Sequence, residues 1–425
     1  MMADESTLAS LLIPRGDEVK LVPALTLLWH PDLDRVGETA PLLEVAEGRG
    51  FEFNRAAPRF GRPGSPDTQP VGHPSISRET AFTLRRTMGG YELSAGPAPT
   101  SIFVDGQPFS GTRALTLEHL QAGVVLAISK RVAMCLHMIR FPVTRSPSKE
   151  LLGSGDAIED VRHAVQRVAA SQDVSVLIRG ETGTGKELVA RALHNLGERR
   201  QGPFVAVNMA NLRPERAPAD LFGHEKGSFT GATEARPGLF RSAHGGTLFL
   251  DEVAATPPDV QPMLLRALQD HCVQAVGATT SRHVDVRIVA ATDARIEDDI
   301  VSGRFSMPLY YRLAGLRIDL PPLRSRREDI GVLLVHFLRT ALSSRGELSR
   351  LDDTSATPWL PAPRVTSRQR ASRYSIEQPP AWPISASEPP PEVKRTLIPR
   401  DAYADARNAF DHGVSSPSTK TGSVP

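Results

Sequence analysis

The stretch VSVLIRGETGTGKELVARALH, residues 174–194, combines an apolar strand pattern, a glycine-rich turn and a helix pattern in that order. The turn glycines allow the backbone to curl until several N–H groups converge on anionic oxygens, and the positive end of the following helix points to the same place. The spacing matches GxxxxGK, in which Lys186 reaches the β- and γ-phosphates, and Glu187 stands where Ser or Thr usually binds magnesium. An incidental glycine turn is the alternative, but the flanking strand and helix favour a phosphate-binding loop. The expected ATP contacts are Gly180, Glu181, Thr182, Gly183, Thr184, Gly185, Lys186 and Glu187.

A second stretch, GGTLFLDE at residues 245–252, is an apolar strand that ends in two carboxylates. Strand ends are where α/β proteins place their ligand chemistry. We expect Asp251 to hold Mg2+, directly or through water, and Glu252 to polarise the attacking water. Taken alone, two acids after a strand more often form a solvated loop or a helix cap, but the phosphate-binding loop earlier in the chain favours the catalytic interpretation.

The chain divides into regions of different pattern. Residues 151–345 alternate helix patterns with short apolar strands, which predicts an α/β domain with a parallel sheet covered on both faces. Residues 21–142 contain short strands separated by Gly, Pro and Asp clusters, which predicts an all-β sandwich, and a polar linker at 143–150 joins the two. Residues 346–425 hold 12 of the 36 prolines, which predicts a largely disordered tail with one short helix at 401–411.

Bulk composition narrows the class of protein. The net charge of +2 lacks the basic excess typical of a nucleic-acid-binding domain. Cys135 and Cys272 have no metal-ligand spacing and indicate ordinary thiols in a reducing compartment. The N-terminus lacks a signal-peptide pattern, and no stretch approaches the roughly 18 apolar residues that a membrane span needs. We therefore expect a cytoplasmic protein that does not associate with membranes.

Residues 151–345 resemble the central domain of bacterial sigma-54 activators, a subgroup of AAA+ ATPases. GETGTGKE is that family's form of the phosphate-binding loop, including the glutamate, and LPPLRSRREDI is similar to its run toward the lid. The resemblance implies a homo-oligomeric ring that hydrolyses ATP with Mg2+ and remodels the sigma-54 RNA polymerase holoenzyme. It assigns Asn208 to holding the catalytic glutamate and Arg312 to reaching the neighbouring subunit's ATP. For Asn208, an amide that caps the end of a strand is the alternative.

The segment LFGHEKGSFTGA, residues 221–232, resembles the family's signature loop GAFTGA, with serine in place of the first alanine. In the family this loop projects from the ring, contacts sigma-54 and moves as ATP is hydrolysed. Phe229 would be an apolar tip between flexible glycines, and the alternative is that its ring folds back into the core. The expected sigma-54 contacts are Gly227, Ser228, Phe229, Thr230, Gly231 and Ala232.

Residues 21–142 resemble a forkhead-associated (FHA) domain, a β-sandwich that binds phosphothreonine peptides. The matching pieces are GR, ISR and SIFVDG. Thr80 stands where a histidine is usual, so roles in turns and on the surface are an equal alternative for the matching polar residues. The candidate phosphopeptide ligands, which could supply guanidinium and hydroxyl donors, are Arg62, Ser77 and Arg78.

Several features depart from the sigma-54 activator pattern. In FSMPLYYRL, residues 305–313, Ser306 replaces the first of two arginines, and loss of a transition-state guanidinium can lower the rate by about 10³. Pro308 is expected to perturb the helix of this segment, and Arg304 is a candidate substitute for the missing arginine. Asp293 replaces the usual asparagine and would add negative charge near the γ-phosphate. The lid motif WPGNVREL and a helix-turn-helix are absent, so we expect no sequence-specific DNA binding on this chain.

These observations leave three hypotheses. The first is a regulator in which a phosphothreonine signal docks on the sandwich and a ring hydrolyses ATP to remodel sigma-54 polymerase. The second is a non-catalytic protein that binds ATP and phosphopeptide and modulates other activators in mixed rings. The third is a degraded gene product that folds poorly.

Overall fold

The computed structural model describes residues 20–63, 65–143, 150–171, 174–229, 232–293 and 295–343. The proline-rich tail, the helix predicted at 401–411 and most of the predicted linker lie outside the described residues. Within them, no helix is long and apolar enough to cross a membrane.

The N-terminal region is an antiparallel β-sandwich, as the sequence predicts. One sheet has eight strands in the order β5-β4-β2-β1-β12-β11-β8-β9, and the other has four in the order β10-β7-β6-β3. Two short helices, α1 (Leu43–Ala46) and α2 (Leu117–Ala122), connect strands. The strands are β1 (Lys20–Trp29), β2 (Thr39–Pro41), β3 (Phe51–Phe53), β4 (Arg59–Gly61), β5 (Thr68–Pro70), β6 (Phe82–Thr87), β7 (Gly90–Ala95), β8 (Ile102–Val104), β9 (Gln107–Phe109), β10 (Thr112–Leu115), β11 (Val124–Ile128) and β12 (Val132–Phe141).

Alternating apolar residues build the core of the sandwich. Tyr91 and Leu93 of β7 are buried, whereas the alternating Gly90, Glu92 and Ser94 are partly exposed, as the period of two in a strand requires. The rings of Phe53 and Phe82 stack with their centroids 4.7 Å apart across the pair β3 and β6. Each fully buried aromatic side chain of this kind stabilises the fold by about 1.5–3 kcal/mol relative to leaving it exposed.

The second region is an α/β domain with a five-stranded parallel sheet. Its sheet strands are β13 (Val176–Arg179), β14 (Phe204–Asn208), β17 (Thr247–Asp251), β20 (Arg287–Thr292) and β21 (Leu316–Asp319). Their order in the sheet is β14-β17-β20-β13-β21. Two small hairpins comprise β15 (Gly223–His224), β16 (Arg236–Pro237), β18 (Cys272–Gln274) and β19 (Ser281–His283). The helices are α3 (Asp156–Ala169), α4 (Lys186–Leu196), α5 (Ala217–Phe222), α6 (Leu239–Ser242), α7 (Gln261–Asp270), α8 (Ile296–Val301), α9 (Met307–Leu313) and α10 (Ile330–Ser343).

Two hydrophobic clusters cover the two faces of the parallel sheet. Leu248 and Leu250 of β17 belong to the cluster that includes α5, α7 and α9, and Phe249 between them belongs to the cluster with α3 and α4. The interior strand β17 is therefore a continuous apolar run buried on both sides, as the sequence predicts for a parallel sheet. Because all five strands run in the same direction, the carboxyl ends of β13, β17 and β20 meet at one edge of the sheet.

The helix α10, which follows the parallel sheet, packs on the N-terminal sandwich. Ile330 and Val335 belong to one buried cluster with Leu28 and Trp29 of β1 and Cys135 of β12. Burial raises the pKa of the Cys135 thiol well above its usual value. The two regions thus share an apolar core cluster in addition to being joined by the chain.

Candidate functional site

The phosphate-binding loop lies at the carboxyl edge of the parallel sheet, between β13 and α4. Gly183 and Gly185 have φ angles of 83° and 98°, a left-handed backbone that glycine adopts without strain. A Cβ on Gly180 would lie 2.8 Å from Thr184 Oγ1, so the first glycine of the motif is required by the tight curl of the loop. The Gly180 N–H donates to the Thr292 carbonyl of β20 at 3.2 Å, which fixes the loop to the sheet. The sequence therefore folds locally as the motif predicts.

Lys186, the first residue of α4, holds its ammonium group inside this loop. Lys186 Nζ donates to the Gly180 carbonyl at 2.9 Å and lies 3.6 Å from Glu252 Oε1. The lysine is 7% exposed, so its charge is directed into the loop and not to bulk solvent. The structure thus brings together the lysine and the glutamate that the sequence predicted separately.

The two acids after β17 have different surroundings. Asp251 Oδ2 accepts a hydrogen bond of 3.3 Å from Asn208 Nδ2, and Asp251 Oδ1 accepts one of 3.0 Å from the Glu252 N–H. Glu252 has φ 50° and ψ 49°, an uncommon left-handed conformation for a residue with a side chain. Asn208 Oδ1 also accepts from the Ala210 N–H, which caps the short 3-10 helix after β14. The Asn208 amide, which the family resemblance assigned to holding Glu252, thus contacts Asp251 and caps the strand end.

Other loop carboxylates are held by arginines. Glu181 accepts a bidentate pair from the Arg324 guanidinium at 2.6 and 2.5 Å, and this hydrogen bonding lowers the pKa of the Glu181 carboxyl. Glu187 forms an i,i+4 ion pair of 2.7 Å with Arg191 on the exposed face of α4. Arg324 was not among the residues predicted for the site. Its position in LPPLRSRREDI gave no signal of a contact with the phosphate-binding loop.

A magnesium ion would find few protein ligands at this edge. Among the described residues, no group of three or more His, Cys, Asp or Glu side chains could hold a metal ion. Mg2+ in nucleotide sites usually takes one or two carboxylates and completes its shell with water and substrate phosphates. The adjacent Asp251 and Glu252 fit that pattern, and Asp251 remains the predicted ligand.

The segment that resembles the sigma-54 contact loop follows the hairpin strand β15. The Gly227 N–H donates to the Ala232 carbonyl at 2.8 Å, and the Ala232 N–H donates to the Phe229 carbonyl at 3.0 Å, which closes a narrow loop. Phe229 is 37% exposed, and its ring centroid lies 5.0 Å from that of His224. The aromatic side chain is therefore partly accessible while resting on the base of the loop. Thr230 and Gly231 lie outside the described residues.

The segment around Ser306 differs from the expectation that Pro308 perturbs its helix. Ser306 is the N-cap of α9, its Oγ accepts from the Leu309 N–H at 3.4 Å, and Pro308 lies in the first turn. Proline is tolerated there because first-turn N–H groups have no partner within the helix. That expectation was wrong. The Arg312 guanidinium donates to the Leu268 carbonyl at 3.0 and 2.8 Å.

Two further residues of the expected catalytic surroundings make local contacts. Arg304 donates to Asp299 Oδ1 at 2.9 and 2.5 Å. Asp293 Oδ1 accepts from the Arg295 N–H at 3.1 Å. Both interactions join residues that lie within five positions of each other in the chain.

In the sandwich, the candidate phosphopeptide ligands have separate contacts. The exposed Arg62 donates to the carbonyls of Asp34 and Val36, whereas Ser77 Oγ accepts from the Glu79 N–H at 3.0 Å in a local turn. Arg78, the third candidate, is exposed.

The arginine that touches the Ser77 segment is Arg55, which sequence reasoning missed. The Arg55 N–H donates to the Ser77 carbonyl at 2.9 Å, and its Nε donates to the Ile76 carbonyl at 2.6 Å. Arg55 ends the run FEFNR, an apolar strand followed by arginine like the FGR run at Arg62, and this similarity was the only signal available.

Comparison with known proteins agrees with the geometry of the α/β domain. Residues 151–319 match the Sigma-54 interaction domain family. The chain is 47% identical over 205 residues to the DNA-binding transcriptional regulator NtrC of Escherichia coli (strain K12), which covers 48% of this chain and 44% of that protein. It is 48% identical over 200 residues to the transcriptional regulatory protein ZraR of Klebsiella oxytoca, and this match covers 47% of this chain and 45% of that protein. The chain thus spans less than half the length of these curated relatives.

One solved structure that the chain resembles is NtrX from Brucella abortus in complex with ATP. Sequence identity is 39%, the aligned part covers 46% of this chain and 42% of that chain, and the TM-score is 0.43.

Proposed function

We propose that this chain, whose residues 151–319 form a sigma-54 interaction domain, is an ATP-dependent transcription regulator of the sigma-54 activator type. The observation that carries the proposal is the contact between Lys186 and Glu252 at the carboxyl edge of a parallel sheet, 3.6 Å apart beside a glycine loop. A lysine and an acid in this arrangement suit a nucleotide whose terminal phosphate lies between them.

The residues of the loop have distinct roles in this proposal. The N–H groups at the start of α4 and the Lys186 ammonium bind the phosphates, because both present positive charge to the same space. Glu252 orients the attacking water or accepts a proton from it. Asn208 positions Asp251 through its hydrogen bond of 3.3 Å. A magnesium ion held by Asp251 would neutralise part of the phosphate charge. The sheet edge fixes these groups on rigid strand ends.

The partner surface is the loop of residues 227–232. The relatives named above are transcriptional regulators, and the family is described by its interaction with sigma-54. In this chain the half-exposed Phe229 provides an apolar contact for that partner. Assembly into a ring, in which Arg312 of one subunit serves the site of the next, is part of the proposal. Arg312 would first have to release the Leu268 carbonyl.

ATP hydrolysis measured against protein concentration tests the proposal. We expect a specific activity that rises with concentration and disappears in Lys186→Ala, because the lysine contacts the phosphates. Lys20→Ala, which removes an exposed lysine of the sandwich, is the matched control and should behave as the unmodified chain. Hydrolysis that persists in Lys186→Ala would contradict the assignment of the site.

A second candidate function is a nucleotide-binding partner that does not hydrolyse ATP and modulates other activators. It is favoured by Ser306, whose hydroxyl caps a helix where the family has an arginine, and by the local contacts of Arg304 and Arg312. ATP binding by equilibrium dialysis together with a hydrolysis rate no higher than that of Glu252→Gln would establish this alternative.

Recognition of a phosphothreonine peptide by the sandwich is a further part of the proposal. Burial lowers the pKa of His73, and so do the neighbouring basic groups His30, Arg131 and Arg55. These groups therefore lie near one another and near the Ser77 turn. Fluorescence anisotropy with a phosphothreonine peptide, with the unphosphorylated peptide as control, tests it. Loss of binding in Arg62→Gln and in Arg55→Gln is expected, and equal binding of both peptides would refute phosphate recognition.

A further inference from the structure

A small cavity lies at the amino edge of the parallel sheet, opposite the phosphate-binding loop. It has a volume of about 40 Å³, and Arg287, the first residue of β20, lines it together with residues from the C-terminal end of α7. The phosphate-binding loop, in contrast, hydrogen-bonds to Thr292, the last residue of the same strand. The cavity is therefore separate from the phosphate-binding loop of the same chain.

The charged groups around this cavity are mostly positive. Arg199, Arg287 and Arg312 line it, and Asp285 is the one acidic side chain among the described lining residues. Asp285 is engaged by Arg199 at 2.7 Å, and this hydrogen bond lowers the pKa of the Asp285 carboxyl. Among the described residues, neither Arg287 nor Arg312 forms an ion pair. Both guanidinium groups donate to backbone carbonyls instead.

Arg287 is the most buried of the three arginines and is only partly satisfied. It is 3% exposed, and its terminal nitrogens donate to the carbonyls of Val168 and Ala169 at 2.7 and 3.4 Å. Its Nε has no hydrogen-bond partner among the described residues. Burial and, secondly, the charge of Arg199 lower the pKa of the Arg287 guanidinium. An arginine buried without a counter-charge is costly, and water can satisfy Nε but cannot neutralise the charge.

We propose that this cavity binds one small monovalent anion of the size of chloride, with Arg287 Nε as the buried donor and Arg199 and Arg312 as the flanking charges. The charge and the size of the cavity indicate the class of ligand. On the measure that gives this cavity about 40 Å³, one water-sized sphere needs only about 10–15 Å³, so the cavity accommodates a halide-sized ion. Arg312 is exposed and the Asp285 side chain is 55% exposed, so the cavity has an opening toward solvent.

The line width of the chloride NMR signal, titrated with the full chain in the absence of nucleotide, tests the proposal. We expect broadening that saturates with protein, decreases by at least about half in Arg312→Gln because one of the two flanking charges is lost, and persists in Arg266→Gln. Arg266 is the matched control because it lies on α7 with its side chain 76% exposed, away from the cavity. Broadening that is equal in Arg312→Gln and the unmodified chain would overturn the proposal.

A second measurement does not depend on any variant folding. Binding of an ion to the folded chain alone raises its melting temperature, so exchanging gluconate, a much larger organic anion, for chloride at the same ionic strength should raise it by about 2–4 °C. Identical melting temperatures in the two salts would mean that water fills the cavity. Because neither measurement uses ATP, failure here leaves the proposed ATPase untouched, and failure of the ATPase leaves this site untouched.

Discussion

Replacement of Asp329 by asparagine gives a quantitative test of how the start of the α/β domain is held to the segment before α10. The Asp329 side chain is 0% exposed, and its Oδ1 accepts from the N–H groups of Ser154 and Gly155 at 2.6 and 2.8 Å. Burial and, secondly, the nearby Glu328 raise the pKa of the Asp329 carboxyl from 3.8 to about 6. Arg326, 3.9 Å away, only partly opposes this shift.

The sign of the pH dependence follows from the raised pKa. The fold favours the protonated carboxyl, so this contribution to stability is complete below the unfolded pKa of 3.8 and is lost as the pH rises through about 6. The full difference corresponds to about 3 kcal/mol of unfolding free energy, of which on the order of 1.5 kcal/mol falls between roughly pH 5 and pH 8. Asparagine keeps an oxygen acceptor for the two N–H groups and does not titrate.

Urea unfolding of the full chain at several pH values measures this effect. We expect Asp329→Asn to gain on the order of 1.5 kcal/mol relative to the unmodified chain between roughly pH 5 and pH 8. Asp270→Asn, which removes a carboxylate that is 55% exposed, is the control and should follow the unmodified chain at each pH. Parallel profiles for Asp329→Asn and the unmodified chain would refute the assignment of a raised pKa to this buried carboxyl.

Three other substitutions test the loop, the chemistry and the interface. Gly185→Ala should weaken ATP binding by about tenfold or more in a fluorescent-nucleotide titration, because alanine is strained at φ 98° by about 1–3 kcal/mol. Gly89→Ala is the control and should leave ATP binding unchanged, because a Cβ there meets nothing within 4 Å. Glu252→Gln should retain ATP binding but lower the hydrolysis rate by about 10²–10⁴ if the glutamate acts on water, and an unchanged rate would exclude that role. Val335→Asp should lower the melting temperature by several degrees because it places a charge in the apolar cluster between α10 and the sandwich. Thr340→Asp, at an exposed position of the same helix, should change the melting temperature little. Equal melting temperatures for these two variants would contradict the packing.

Apolar runs made most of the sheet architecture predictable. The strand predicted at Val124–Ser129 is β11, and the one predicted at 247–250 is β17, because a run of buried residues between turn residues has few other solutions. The three-residue strands β4 and β5 were not predicted. Runs of three residues are too short to show alternation. The place of β4 and β5 in the sheet also depends on the pairing of β4 with β2, whose residues lie about twenty positions earlier, and β5 then pairs with β4.

The candidate site was predictable where the chemistry is local and not where it depends on tertiary contacts. Lys186 and Glu252 each lie in a motif whose geometry is set by the flanking strand and helix, and the sheet brings them to 3.6 Å. Arg55 and Arg62 both follow an apolar run, and only the pairing of the loops shows that Arg55 contacts the Ser77 segment. The role of Arg324 depends in the same way on how the chain returns after β21 to the loop.

Because the segment after β21 contacts both regions, the two regions cannot be understood as separate units. Arg324 holds Glu181 of the phosphate-binding loop, and Arg327, three residues later, donates to the Gly123 carbonyl of the sandwich at 3.1 Å. The next turn begins α10, whose Ile330 is buried against the sandwich sheet. One short segment therefore contacts both the nucleotide loop and the N-terminal sheet. Since these contacts join residues more than a hundred positions apart, no local pattern could indicate them, although they fix the position of the segment that holds the loop.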